Sequence, residues 1–322
     1  MSKLAIVLLS LLGLWALAGC PAGSDGEPGS DGPVAGDQGQ KDAAVPDAPK
    51  EPDLPPMTSY KVAAIQYAEG QYGQVQGCTD DVCALSKLAE EAAIAGARLV
   101  VTPEYATGQE YSEPAPKVGD NPVTDARWEE GTIIKSLARV ADVLNITLVF
   151  HVITDEGDKL YGTGLAVDRY GVVVARHYKF QLYGEKGLTP GANLDTSFFD
   201  TPAGKTGILI CADVQCAVVG GVYEPTCTAS ALGLLKAFIA QKPALIVFSA
   251  HWMVGPTNST SNWWPVNVQK TMAKTAKSYL MAANVTEGPG IGGGIYNPDG
   301  TEIATVTSSK PVVVYGELPL KK

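Results

Sequence analysis

Three side chains suited to nucleophilic and acid–base chemistry stand directly after strongly apolar runs. Glu104 follows LVVTP, Lys179 follows VVVARHY, and Cys211 ends GILIC. A cysteine thiol attacks a carbonyl only as the thiolate, so at neutral pH it needs an adjacent base or cation. A glutamate in a dry cleft can take the thiol proton and return it to a leaving amine. A buried ammonium can stabilise the oxyanion of a tetrahedral intermediate. Each residue alone also has an ordinary reading: a capped turn, a solvated lysine, a small core residue. Together they point to one cleft, because ligands of α/β sheets bind at the carboxyl ends of strands.

The remaining chemistry is thin. The three histidines, His151, His177 and His251, show no metal-ligand spacing, and the six cysteines form no paired CxxC pattern. Neither a metal nor a cofactor is expected. His251 with Cys211 would make a thiol–imidazole dyad, but a cleft-wall histidine is the simpler expectation. With 34 acidic against 24 basic residues and no long basic run, no nucleic-acid partner is expected.

Alternating β-rich and helical patterns must position these residues. Strands are predicted at 61–67, 98–102, 147–153, 164–168, 172–177, 206–211, 244–249, 279–284, 292–296, 301–306 and 311–316. Helices are predicted at 82–95, 128–144, 229–240 and 263–277, from apolar residues at three- and four-residue spacing. Asp168-Arg-Tyr-Gly171 and Asn297-Pro-Asp-Gly300 read as hairpin turns. Two strand–helix–strand stretches each lead into a hairpin, so the chain reads as two similar halves forming an α/β layered domain.

Four segments carry a family resemblance: GARLVVTPEYATGQEY, VVVARHYKFQLYGEKGLTPG, GKTGILICADVQ and ALIVFSAHWMVGP. In order and spacing they resemble the signature segments of the nitrilase (carbon–nitrogen hydrolase) superfamily. YKFQLYGE, IVFSAHWM and GIGGGIYNPDG look most like its vanin/biotinidase branch. The resemblance implies a four-layer α-β-β-α sandwich over residues 58–322 and amide hydrolysis through a cysteine thioester. Cys211 is then the nucleophile, Glu104 the base and Lys179 the oxyanion stabiliser. Glu185 matches a second glutamate, although its spacing from Lys179 is one residue short, and a solvated loop glutamate is the competing reading. The family's Tyr-His-Lys order is here His177-Tyr178-Lys179, and Cys211-Ala-Asp213 replaces Cys-Trp-Glu, which favours amides over nitriles. Tyr105, Tyr183, Asp213, His251 and Trp252 are expected around the pocket, with Tyr111, Trp128 and Trp264 in the neighbouring loops.

Residues 1–19 have the layout of an export signal: one lysine, a short apolar run, then Leu17-Ala18-Gly19-Cys20. The final four resemble a bacterial lipobox, so Cys20 is expected to be acylated and to anchor the protein to a membrane outside the cytoplasm. Residues 20–57 read as a flexible linker, with 8 Pro, 6 Gly, eight acidic and two basic residues between 21 and 57. The folded part is only mildly acidic. With Cys20 and Cys211 assigned, the other four cysteines are expected to pair as Cys78–Cys83 and Cys216–Cys227 in an oxidising compartment. Asn145, Asn258 and Asn284 stand in glycosylation-like triplets that carry no weight beside a bacterial lipobox.

The expected activity is therefore a thiol-dependent amidase of the envelope, acting on a small-molecule amide such as pantetheine or a biotinyl amide. The competing readings are a tethered small-molecule-binding lipoprotein and an amidase or carbamoylase for other small amides. The resemblance leaves homodimer and monomer both open.

Overall fold

The computed structural model describes residues 57–108, 133–156, 159–183, 185, 187–218, 228–252, 263–286, 292–306 and 308–321. The export segment, Cys20 and residues 21–56 lie outside them, as do Tyr111, Trp128, Asn258 and Cys227, and with Cys227 the Cys216 pairing.

Twelve strands form two six-stranded sheets. The first runs in the order β12 (Val312–Leu318), β1 (Tyr60–Gln66), β2 (Leu99–Val101), β3 (Thr147–Asp155), β4 (Leu160–Val167) and β5 (Val173–Tyr178). The second runs β11 (Glu302–Val306), β10 (Gly293–Tyr296), β9 (Tyr279–Ala283), β8 (Leu245–Ser249), β7 (Gly204–Ile210) and β6 (Phe198–Thr201). In each sheet three parallel strands, β1-β2-β3 or β7-β8-β9, continue into two antiparallel ones. Each half ends in a strand lent to the other half's sheet: β6 pairs with β7, and β12 pairs with β1.

The helices α1 (Asp81–Ile94), α2 (Ile133–Leu144), α3 (Ala229–Ala240) and α4 (Trp263–Ala276) are the crossovers between parallel strands. In α2, Ile134, Leu137, Ala138 and Ala141 are buried, the spacing that lays one helical face on a sheet. The Asp80 side chain caps α1 by accepting the Cys83 N–H at 2.7 Å, and Thr228 caps α3 through the Ala231 N–H. Alternation along the strands then separates two faces. Ala63, Ile65, Val100 and Phe150 pack in one cluster with the buried residues of α1 and α2. Val62, Ala64, Val101 and Val149 share another with Ile208, Val247, Met281 and Ile295 of the second sheet. Ile246, Phe248 and Leu280 of the second sheet pack with Leu235, Phe238, Val268 and Met272 of α3 and α4. The layers are thus α-β-β-α.

Both expected hairpins are present. Gly171 donates to the Asp168 carbonyl at 3.0 Å and Gly300 to the Asn297 carbonyl at 2.8 Å. Cys78 and Cys83 form a disulfide, and Cys211 is a free, buried thiol. Two expectations need correction. β6 was not foreseen, because four residues do not establish a period and this strand exists through its partner β7. β4 begins at Leu160 rather than 164, its first residues held as a strand by pairing with β3 through Gly162 and Gly164. A Cβ at Gly164 would lie 2.8 Å from Ile208 of the opposite sheet, so this glycine permits close approach of the sheets.

Candidate active site

The carboxyl ends of β2 and β8 are tied across the sandwich. Glu104 donates its backbone N–H to the Ala250 carbonyl at 3.3 Å, and Ser249 Oγ donates to the Thr102 carbonyl at 2.8 Å. Lys179 follows β5 and Cys211 follows β7. The structure brings Glu104, Lys179, Glu185 and Cys211 together.

Lys179 Nζ donates to Glu104 Oε1 at 2.7 Å and also pairs with Glu185 Oε1, while Glu185 Oε2 accepts the Tyr183 N–H. Glu104 and Lys179 are each 1% exposed. Burial works to lower the lysine pKa, but the charges of Glu104, Cys211 and Glu185 prevail and hold the ammonium well above its ordinary range. Glu104 Oε2 is buried and has no hydrogen-bond partner among the described residues. The carboxylate that binds the lysine with one oxygen thus keeps the other as a spare acceptor beside the thiol.

Cys211 opens a 3-10 turn (Cys211–Val218) and is 7% exposed, with φ at 40°. A non-glycine residue there is strained by roughly 1–2 kcal/mol, so the surroundings must hold it. Asp213 does much of the holding. Its Oδ1 accepts the N–H groups of Phe180 and Gln181 at 3.0 and 2.9 Å. Its Oδ2 accepts the Ile210 N–H at 2.9 Å and bonds His177 Nε2 at 2.8 Å. A carboxylate only accepts, so His177 carries its proton on Nε2, with Nδ1 meeting Ser197 Oγ at 2.9 Å. Asp213, expected around the pocket, is fully buried with both oxygens engaged. It fixes the lysine loop to the cysteine turn.

Burial pushes the Cys211 thiol up, and the Glu104 charge adds to this; Lys179 and a backbone hydrogen bond from His251 act the other way. The Cys211 thiol thus lies between an opposing carboxylate and a supporting ammonium, and its hydrogen bond with His251 comes from that residue's backbone. The His251 ring lies edge-on to Tyr105, 5.6 Å between centroids. Tyr105 in turn meets the ring of His151 at 4.8 Å. Trp252 is buried against Phe248 at 5.1 Å, its backbone N–H donating to Asn284 Oδ1 at 2.9 Å. Asn284 is thus an internal tie. Tyr183 is 62% exposed. The residues that sequence reasoning left without a role are His151 and His177. Their signal was available: each histidine occupies a fully buried strand position.

Among the described residues no cluster of His, Cys, Asp and Glu could hold a metal. The site brings together a thiol, two carboxylates and an ammonium.

Residues 61–218 match the carbon–nitrogen hydrolase family. Symplectin of Sthenoteuthis oualaniensis is 32% identical over 152 residues, 46% of this chain and 26% of that protein. Omega-amidase NIT2 of Homo sapiens is 26% identical over 286 residues, 83% of this chain and 91% of that protein. Biotinidase of Takifugu rubripes is 29% identical over 146 residues, 44% of this chain and 25% of that protein. The chain thus spans about a quarter of symplectin and of biotinidase, and nearly all of the omega-amidase. Among solved structures, an amidase from Nesterenkonia sp. AN1 superposes with a TM-score of 0.60 at 20% identity, covering 83% of this chain and 93% of that one. That structure carries the acetamide moiety of fluoroacetamide added covalently at its active-site cysteine.

Proposed function

We propose that this chain, which carries a carbon–nitrogen hydrolase domain, is an amidase of the cell envelope, held there by acylated Cys20. It cleaves a non-peptide C–N amide bond through a thioester on Cys211. The observation that carries the reading is the buried Lys179 bridge, with Glu104 Oε1 at 2.7 Å and a second glutamate on the same ammonium beside a free thiol.

Glu104 takes the Cys211 proton as sulfur attacks the amide carbonyl. Lys179 and the backbone N–H after Cys211 receive the developing oxyanion. Collapse breaks the C–N bond, and Glu104 delivers the proton to the departing amine. Water then attacks the thioester with Glu104 again as base, releasing the acid and restoring the thiol. Glu185 holds the ammonium in place through both half-reactions. The His177–Asp213 tie keeps the nucleophile turn against the lysine loop.

A pantetheine-like or biotinyl amide is the substrate class we favour, supported by the vanin/biotinidase-like segments and the biotinidase relatives. The test is an amide panel of pantetheine, biotinyl amides and short acyl amides, scored for released amine. Turnover that disappears in Cys211→Ser supports the reading; equal turnover in that variant, or none across the panel, contradicts it.

A further inference from the structure

We infer that His151, deep in β3, is a positioning residue for the base: a neutral imidazole whose Nδ1 holds the backbone of Tyr105, and through it Glu104. The inference rests on the amidase reading above. Tyr105 directly follows Glu104 and sits at φ 59°, a left-handed conformation unfavourable to a tyrosine. Its N–H donates to His151 Nδ1 at 3.2 Å, and its carbonyl accepts the Gly108 N–H at 3.1 Å. A backbone N–H only donates, so Nδ1 is the acceptor and the ring's proton is on Nε2. An imidazolium would have no acceptor nitrogen for this bond. Burial keeps the ring neutral, assisted by the charges of Lys179 and His251.

The ring is fully buried, and Nε2 has no hydrogen-bond partner among the described residues. An unpaired donor in the interior is costly, and an apolar side chain in this otherwise apolar strand would avoid the cost. Space is kept for the ring all the same: a Cβ at Gly162 would lie 3.2 Å from Nε2 and 3.7 Å from Lys179 Cβ. The Thr107 hydroxyl also donates to the His151 carbonyl at 3.3 Å. One residue thus grips the turn after Glu104 at two points.

The test uses iodoacetamide on the full chain at pH 7.5, following carbamidomethylation of Cys211 by mass spectrometry. His151→Phe keeps ring volume and loses the acceptor; His151→Asn keeps an acceptor at the Nδ1 position. We expect His151→Phe to slow labelling about tenfold at unchanged secondary structure, the loss of one hydrogen bond's worth of alignment. His151→Asn should stay within about threefold of the wild type. Equal rates for His151→Phe and wild type overturn the inference, as does His151→Asn falling as low as His151→Phe. If His151→Phe does not fold, His151→Gln takes its place, because its amide reaches the Nε2 position and offers no acceptor at Nδ1. Labelling slowed about tenfold is then expected, and a rate within about threefold of wild type contradicts the inference. A wild-type Cys211 that does not label at all instead counts against the amidase reading.

Discussion

Asp213 accepts the Nε2–H of His177 at 2.8 Å, and this one bond joins the strand that ends at the lysine to the turn that begins at the cysteine. The same carboxylate takes three backbone N–H groups, from Ile210, Phe180 and Gln181. Removing the charge therefore breaks a tie between the two halves of the fold as well as a local bond.

Asp213→Asn puts an NH₂ group where only acceptors fit, so at least one backbone donor loses its partner. We expect a loss of roughly 2–3 kcal/mol in urea unfolding, with amidase activity falling in protein that remains folded. Unfolding within about 0.5 kcal/mol of wild type would show that the tie does not bear on stability.

Lys179→Met removes the ammonium and leaves two carboxylates, Glu104 and Glu185, without their shared cation. Breaking a buried pair from one side costs about 3–5 kcal/mol in general. In the proposed mechanism the lysine also receives the oxyanion, so turnover should fall by about a hundredfold or more. Activity preserved in Lys179→Met but lost in His251→Ala would favour a cysteine–histidine dyad instead.

Stability should depend on alkaline pH with a fixed sign. The Cys211 thiol is raised by burial and then by the Glu104 charge, so the folded state keeps its proton where the unfolded chain has lost it. The folded state then binds more protons, and the contribution present below an unfolded thiol pKa of about 8.5 is lost as pH rises above it. Lys179, also raised, acts in the same direction above about 10.4. Urea unfolding between pH 8 and 10 should decline by up to about 1.4 kcal/mol per pH unit from the thiol, and Cys211→Ser should flatten that slope. An identical slope in the variant would contradict the raised thiol.

Much of this was legible in the sequence, and the residues that were not share a physical reason. The crossovers and the paired hairpins follow from local period and turn composition. Glu104, Lys179 and Cys211 announce themselves because reactive groups directly follow strongly apolar strands. β6 was missed because its four residues are a strand only through β7. The partners of Asp213 were hidden because three of its four donors lie 30 or more residues upstream, and only the assembled sandwich reveals that both oxygens are engaged. His151 lacked a role for the same reason: its partner Tyr105 is 46 residues away in sequence.

The most direct test is to find the acyl-enzyme. A short acyl amide is mixed with the full chain, quenched in acid within the first turnovers, and digested for mass spectrometry. The Cys211 peptide should gain the acyl group in place of the thiol hydrogen, and hydroxylamine or Cys211→Ser should remove the adduct. Amide turnover with an unmodified Cys211 peptide at every quench time, undiminished in Cys211→Ser, would contradict a thioester on Cys211.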